Sequence, residues 1–309
     1  MSSEKESFRH TKNTSKSLFY RISQLVGFLL GARFFVALLL TFALYVSTFF
    51  LFNQEESFKR FVFDFKVHGI IFCTVLSILA GGTINQFYDQ EKDHIAKPFR
   101  TRLQNFTEQK YFLYAYLLLS IVSLGVALLI SYRVFIFFII YQFFMWLYSH
   151  KLSRILFINN LTFVSLTLYP FFGMMVYYET FSIKLFLMAV FLFLLLLCID
   201  IVKDTLTKSV DKAFGYTTIP NYFSTQQAKS ILISLIIITM LVSMKLILKT
   251  GISGFVGYYF SAGLFVLILC VYLLLDYSRK SKFFTLNILR LWIFVGIIAM
   301  LINGIEYKL

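Results

Sequence analysis

Long uninterrupted apolar runs alternate with short polar, mostly basic segments along the whole chain. The runs fall at roughly 25–52, 67–88, 111–131, 133–148, 159–178, 182–202, 228–249, 252–275 and 284–304. A helix rises about 1.5 Å per residue, so about 20 apolar residues cross about 30 Å of hydrocarbon. Most of the runs reach that length, although 133–148 is short. Lipid offers nothing to an unpaired backbone group, and these runs are too long for barrel strands, so the pattern predicts nine transmembrane helices. The expected fold class is all-α, a polytopic membrane protein. Residues 1–24 are polar and basic with no cleavage pattern and are read as a retained cytoplasmic tail. Residues 25–309 are read as one membrane domain.

Composition agrees with this reading. The 309 residues are 59% hydrophobic, 19% aromatic and only 14% charged, proportions that a water-soluble domain of this length does not carry. The net charge of +14 raises nucleic acid as a partner, but the bases are dispersed through short loops. A positive-inside bias and attraction to anionic headgroups explain that distribution better, so membrane lipids are expected partners and nucleic acid is not. With the N-terminus cytoplasmic, that side receives Lys5, Arg9, Lys12, Lys16 and Arg21, the loops 89–110 and 203–227, Lys151, Arg154, and Arg279 to Lys282. The other side receives mainly Lys59, Arg60, Lys66, Arg133, Lys184 and Lys249. This imbalance predicts a multi-pass protein with N-terminus in and C-terminus out, of the kind found in a bacterial-type inner membrane. Cys73, Cys198 and Cys270 lie far apart inside apolar runs, without metal-ligand spacing, and are read as packing residues.

Candidate chemistry gathers in two acidic stretches. The first, Asn85 to Arg102, follows the second apolar run and places Asn85, Asp89 and Asp93 four residues apart. On a helix, steps of four drift only about 40° and rise about 6 Å, so the three side chains form a ladder on one face. Hard cations such as Mg²⁺ take one or two carboxylates and complete their shell with water and substrate phosphates. Lys97, Arg100 and Arg102 stand where they can hold the phosphate oxygens. The plainer alternative is that such charges are solvated and set orientation only. The second stretch carries Asp200, Lys203, Asp204 and Asp211, the acids again within about 40° of one another on a continuing helix. Four crossings separate the stretches, which places both in one compartment. Two acid stripes on the same side of a membrane repel unless a cation lies between them. A third cluster, Tyr148 to Arg154, adds Tyr148 and Lys151 at the second cytoplasmic loop.

Taken together, these motifs resemble the UbiA-type intramembrane prenyltransferase superfamily. The resemblance covers nearly the whole chain: the NxxxDxxxD of Asn85, Asp89 and Asp93, the following Lys97-Pro98-Phe99-Arg100, the pair Tyr148-Ser149, the second acid motif, and Gly215 to Pro220. It implies nine helices around a central cavity open to the cytoplasmic side. It also implies transfer of a polyprenyl group from an allylic diphosphate to an aromatic or lipid acceptor, with Mg²⁺ as cofactor. Asp89, Asp93 and Asp204 would then be catalytic, with Asn85, Asp89, Asp93, Asp200, Asp204 and Asp211 as metal ligands. Lys97, Arg100, Arg102, Lys151 and Lys203 would bind diphosphate, and Tyr148 would line the cavity. The chain departs from the family pattern at Thr207, where an acid is usual, and at Ser153, where a lysine is common. Asp200 offers a substitute carboxylate one turn earlier. A catalytically weakened relative and a multi-helix transporter are the rival readings; the latter usually carries ionisable groups near the bilayer midplane.

Overall fold

The computed structural model describes residues 20–53, 57–96, 98, 101, 107–250 and 253–308. The described residues are all-helical, and nine of their helices are long and apolar enough to cross a membrane: α1 Phe34–Phe52, α2 Phe65–Ala96, α3 Gln109–Ile130, α4 Tyr132–His150, α5 Ile158–Tyr177, α6 Ile183–Ala213, α7 Thr225–Lys249, α8 Gly254–Asp276 and α9 Arg279–Glu306. The chain is therefore a multi-pass integral membrane protein. One boundary differs from the hydrophobic pattern. The run 25–52 is broken at Ala32–Arg33, where Arg33 takes a left-handed φ of 56°, and residues 20–31 form a separate helix before α1. Hydropathy alone cannot register this break, because a turn leaves the apolar side chains unchanged.

Two helices outrun their apolar segments. α2 has 32 residues and α6 has 31, which at about 1.5 Å each gives about 47 Å, well beyond about 30 Å of hydrocarbon. The extra turns are the acidic stretches themselves. QFYDQEK and KDTLTKSVDKA contain no proline or glycine and many good helix formers, so nothing stops the helix at the end of the apolar run. α6 ends where Gly215 adopts φ 73°; a Cβ there would meet no other atom, so the backbone angle is what asks for glycine.

The chain divides into two compact units. The first comprises residues 1–39 and 72–142. Its packing relies on small and polar groups: Cys73 Sγ donates to the Ser123 carbonyl (3.3 Å), Ser123 Oγ returns a bond to the Cys73 carbonyl (3.0 Å), and Gln142 reaches Ser77 Oγ (3.1 Å). Interhelical bonds of this kind join helices where lipid supplies no hydrophobic drive. Gly82 lies against the backbone carbonyl of Ala32, which a Cβ would strike, so this glycine permits a close helix approach. The second unit, residues 40–71 and 143–309, is built around α6, which packs against α5, α7 and α9. Leu195, Ile201, Leu232, Leu267 and Leu289 form its fully buried interior.

Candidate active site

In the first unit, Asn85, Asp89 and Asp93 share the continuous helix α2. The i, i+4 register brings Asn85 Nδ2 to Asp89 Oδ2 at 2.9 Å, which turns the Asn85 carbonyl oxygen away from that carboxylate. Asn85 and Asp93 are buried, while Asp89 is half-buried. Thr101 Oγ1 donates to the Asp93 carbonyl at 2.9 Å, tying the chain beyond α2 back onto the acid-bearing end. Lys97, Arg100 and Arg102 lie outside the described residues.

In the second unit, α6 runs unbroken through Asp200, Lys203, Asp204 and Asp211, and all three acids are buried. Their environment is more elaborate than the spacing predicts. Asn160, in the first turn of α5, directs its amide nitrogen at both Asp200 Oδ2 (2.8 Å) and Asp204 Oδ2 (2.9 Å). Lys203 pairs with Asp200 Oδ1 and lies 3.7 Å from Asp204 Oδ1. Both Asp200 oxygens are thus occupied by protein groups. The Lys203 ammonium also sits 5.0 Å from the centre of the Phe163 ring, whose neighbour at 6.1 Å is the Tyr148 ring. The lysine side chain keeps 40% of its surface exposed against 3% for Asp200, so part of its length lies at the edge of the cluster. One turn on, Thr207 Oγ1 donates to Asp211 Oδ2 at 2.6 Å. The threonine that replaces an acid thus orients the next one.

The loop after α4 is fixed against the end of α6. Thr217 N–H donates to the Arg154 carbonyl (3.0 Å), and the Arg154 guanidinium lies 5.4 Å from the Tyr216 ring centre. Gly215 to Pro220 therefore holds the Lys151–Arg154 turn, with Asn221 closing the corner through Thr218 N–H (2.9 Å) and the Tyr216 carbonyl (2.6 Å). Lys151 is exposed on that turn. Asn160 and Phe163 were not singled out by the sequence pattern. The only signal is a pair of asparagines, Asn159-Asn160, opening an otherwise apolar span.

Among the described residues, no group of three or more His, Cys, Asp or Glu converges as a ready-made metal cage. Mg²⁺ does not need one, since it is commonly held by one or two carboxylates with water and phosphate completing the shell. The donors present are all oxygens, and the buried Asn160 Oδ1 has no hydrogen-bond partner, so the residues fit a hard divalent cation. A cavity of about 300 Å³ lined by Ser182, Lys184 and Asn303 lies at the opposite end of α6 and is not part of this chemistry. Cys73, Cys198 and Cys270 are buried free thiols.

The chain is 31% identical over 247 residues to the digeranylgeranylglyceryl phosphate synthase of Thermococcus gammatolerans, an alignment that covers 78% of this chain and 87% of the relative. It is 33% identical over 173 residues to the enzyme of the same name from Methanosphaera stadtmanae, covering 55% and 62%. Among solved structures, one of digeranylgeranylglyceryl phosphate synthase in membranes matches with a TM-score of 0.69 at 19% identity, covering 92% of this chain and 99% of the other. A UbiA homologue from Archaeoglobus fulgidus, bound to GPP and Mg²⁺, matches with a TM-score of 0.63 at 15% identity, covering 89% and 99%. The sequence profile of the UbiA prenyltransferase family matches residues 58–294, and the chain belongs to that family as a membrane prenyltransferase.

Proposed function

We propose that this prenyltransferase moves a geranylgeranyl-type group from its diphosphate to a hydroxyl of a glyceryl phosphate that already carries one such chain, using Mg²⁺. The single observation that carries the acceptor is the 31% identical Thermococcus relative, whose name describes a product with two geranylgeranyl groups on one glyceryl phosphate. The allylic C–O bond to diphosphate breaks, the acceptor oxygen forms the new C–O bond, and the hydroxyl proton is released with diphosphate as the second product. Mg²⁺, when bound, neutralises the charge that builds on the leaving diphosphate.

The chain's own residues do the rest. Asn85, Asp89 and Asp93 on α2 would hold one cation, and Asp204 and Asp211 on α6 would hold another. Asp200 adds its charge to the second set while its oxygens stay engaged with Lys203 and Asn160. Lys203 supplies positive charge for the diphosphate, as do Lys151, Lys97, Arg100 and Arg102. Tyr148 and Phe163 offer aromatic faces that favour an allylic cation. The topology that accompanies this reading keeps the N-terminus and loops 89–110 and 203–227 cytoplasmic. Single cysteines at Gln104 and Ser209, in a background without native cysteines, are expected to label from the same side.

The test is an acceptor panel. Purified protein in lipid with Mg²⁺ and labelled geranylgeranyl diphosphate is expected to prenylate geranylgeranylglyceryl phosphate and to leave hydroxybenzoate and naphthoate acceptors unchanged. Transfer to an aromatic acceptor, with none to the glyceryl phosphate, overturns the proposal.

A further inference from the structure

Asn160 is 1% exposed and lies against two buried carboxylates. The amide can face them only with its nitrogen, because an oxygen there would oppose two carboxylate oxygens. That choice fixes the rest of the group. One NH₂ supplies two donors, and both are used, one for each acid. The amide oxygen is buried and accepts no hydrogen bond. An unpaired buried carbonyl is costly, commonly about 1–3 kcal/mol by mutational measurement, and a protein seldom keeps one beside two acids without use for it.

The backbone explains how the asparagine is delivered. Phe157, just before α5, has a left-handed φ of 62°, and Asn159 Oδ1 accepts the Asn160 N–H at 2.7 Å. Together they start the helix abruptly and set Asn160 in its first turn, where N–H groups otherwise lack partners. Lys203 completes the arrangement from the other side of Asp200. Two like charges one turn apart on α6 are thereby held in a single orientation, with a neutral donor and a cation to limit their repulsion.

We propose that Asn160 is the positioning residue of the second acid cluster: its amide nitrogen fixes Asp200 and Asp204 as one oxygen face, and its carbonyl oxygen completes that face toward a divalent cation. This inference rests on the reading of Asp204 as a cation ligand. It assigns Asp200 to the frame of the site, because the Lys203 ammonium pairs directly with its Oδ1 and stands farther, 3.7 Å, from Asp204 Oδ1.

The test reads binding without turnover. In full-length protein carrying Asp89→Asn, so that the second cluster reports alone, Mn²⁺ affinity is measured by electron paramagnetic resonance in the absence of prenyl substrate. Asn160→Leu keeps the volume and removes both amide groups; Mn²⁺ affinity is expected to fall about 10–100-fold, the range seen for partners that orient metal ligands. The melting temperature is followed in parallel, since a merely structural role lowers it without changing the affinity of the folded fraction. If the leucine variant does not fold, Asn160→Gln, which moves the amide outward by one methylene, is expected to weaken Mn²⁺ several-fold. Folded Asn160→Leu, or failing it Asn160→Gln, with unchanged affinity overturns the inference. Asp204→Asn in the same background separates the two claims. If it weakens Mn²⁺ while the Asn160 variants do not, only the role of Asn160 falls. If it leaves Mn²⁺ unaffected, the second cluster is not a cation site and both claims fall.

Discussion

The acid-bearing ends of α2 and α6 carry the same kinds of residue at similar spacing, yet they are organised differently. On α2 one ordering bond is local: Asn85 reaches Asp89 one turn away on its own helix. On α6 it is borrowed, because Asn160 comes from α5 and binds two acids, while Lys203 and Thr207 hold Asp200 and Asp211. A bond within one helix depends on helix continuity, whereas a borrowed one depends on how α5 packs. The contrast follows from the charge of each motif. On α2 the ladder's first rung is a neutral amide, which donates to Asp89. The α6 motif begins with two carboxylates one turn apart, and these need a donor from α5 beside the Lys203 cation of their own helix to stay buried and ionised.

The largest expected effects treat the two clusters as equals. Asp89→Asn and Asp204→Asn each remove a proposed cation ligand while keeping the side chain's shape. Changing residues that merely orient ligands costs about 10–100-fold, so each is expected to lower Mg²⁺-dependent transfer at least that far, with the protein still folded. Chelation with EDTA is expected to abolish transfer in the unmodified protein, and added Mg²⁺ to restore it. Near-normal turnover for one variant beside a dead second one breaks the symmetry and leaves a single working cluster.

The fold was legible because its signal is collective. Nine apolar runs survive errors in any one of them, and the described residues hold nine candidate spans with shifted ends. The break at Arg33 was hidden because a left-handed backbone angle leaves no mark in hydropathy. The ladder Asn85–Asp89–Asp93 was legible for a different reason: its geometry lies within one helix, and the period of 3.6 converts spacing into a face. The partner of Asp200 and Asp204 lies 40 residues before Asp200 on another helix, and no periodicity connects them. Thr207 was visible as a departure from the family pattern, but its bond to Asp211 becomes apparent only when the rotamer is seen.

Thr207 also gives a middle-sized prediction that sharpens the comparison. Hydrogen bonds to charged groups contribute about 1.5–3 kcal/mol, so removing the one to Asp211 is worth roughly tenfold or more if that carboxylate must be aimed. Thr207→Val is expected to reduce transfer about tenfold by this reasoning, and Thr207→Ser to retain most of it. Thr207→Asp tests whether the usual acid was replaced or its duty moved. Placed in an Asp200→Asn background, it is expected to give no rescue, because the new carboxylate repels Asp211 one turn away and Asp200 is part of the frame. A double variant faster than Asp200→Asn alone would show that Asp200 had been serving as a ligand, and would return the α6 cluster to a purely local ladder like that of α2. The double-mutant cycle isolates that coupling.

The smallest effect concerns what supports the α2 cluster. Gly82 precedes Asn85 by three residues, and a Cβ at Gly82 would strike the carbonyl of Ala32, with Ala32 Cα only 3.2 Å away. The obstacle is backbone, which cannot turn aside as a side chain can. Overpacking of this kind costs about 1–3 kcal/mol, against about 1 kcal/mol gained because alanine is the better helix former. Gly82→Ala is thus expected to be neutral to modestly destabilising. Gly125→Ala on α3 meets open space, so it keeps the propensity gain without the clash and is expected to raise the melting temperature slightly. The difference between the two melting temperatures measures the contact. Because the displaced segment leads directly into Asn85, Gly82→Ala is also expected to slow transfer a few-fold while leaving Mn²⁺ binding at the α6 cluster unchanged. If Gly82→Ala matched Gly125→Ala in both melting and transfer, the α2 ladder would owe nothing to this seam, and helix continuity alone would be enough to order it.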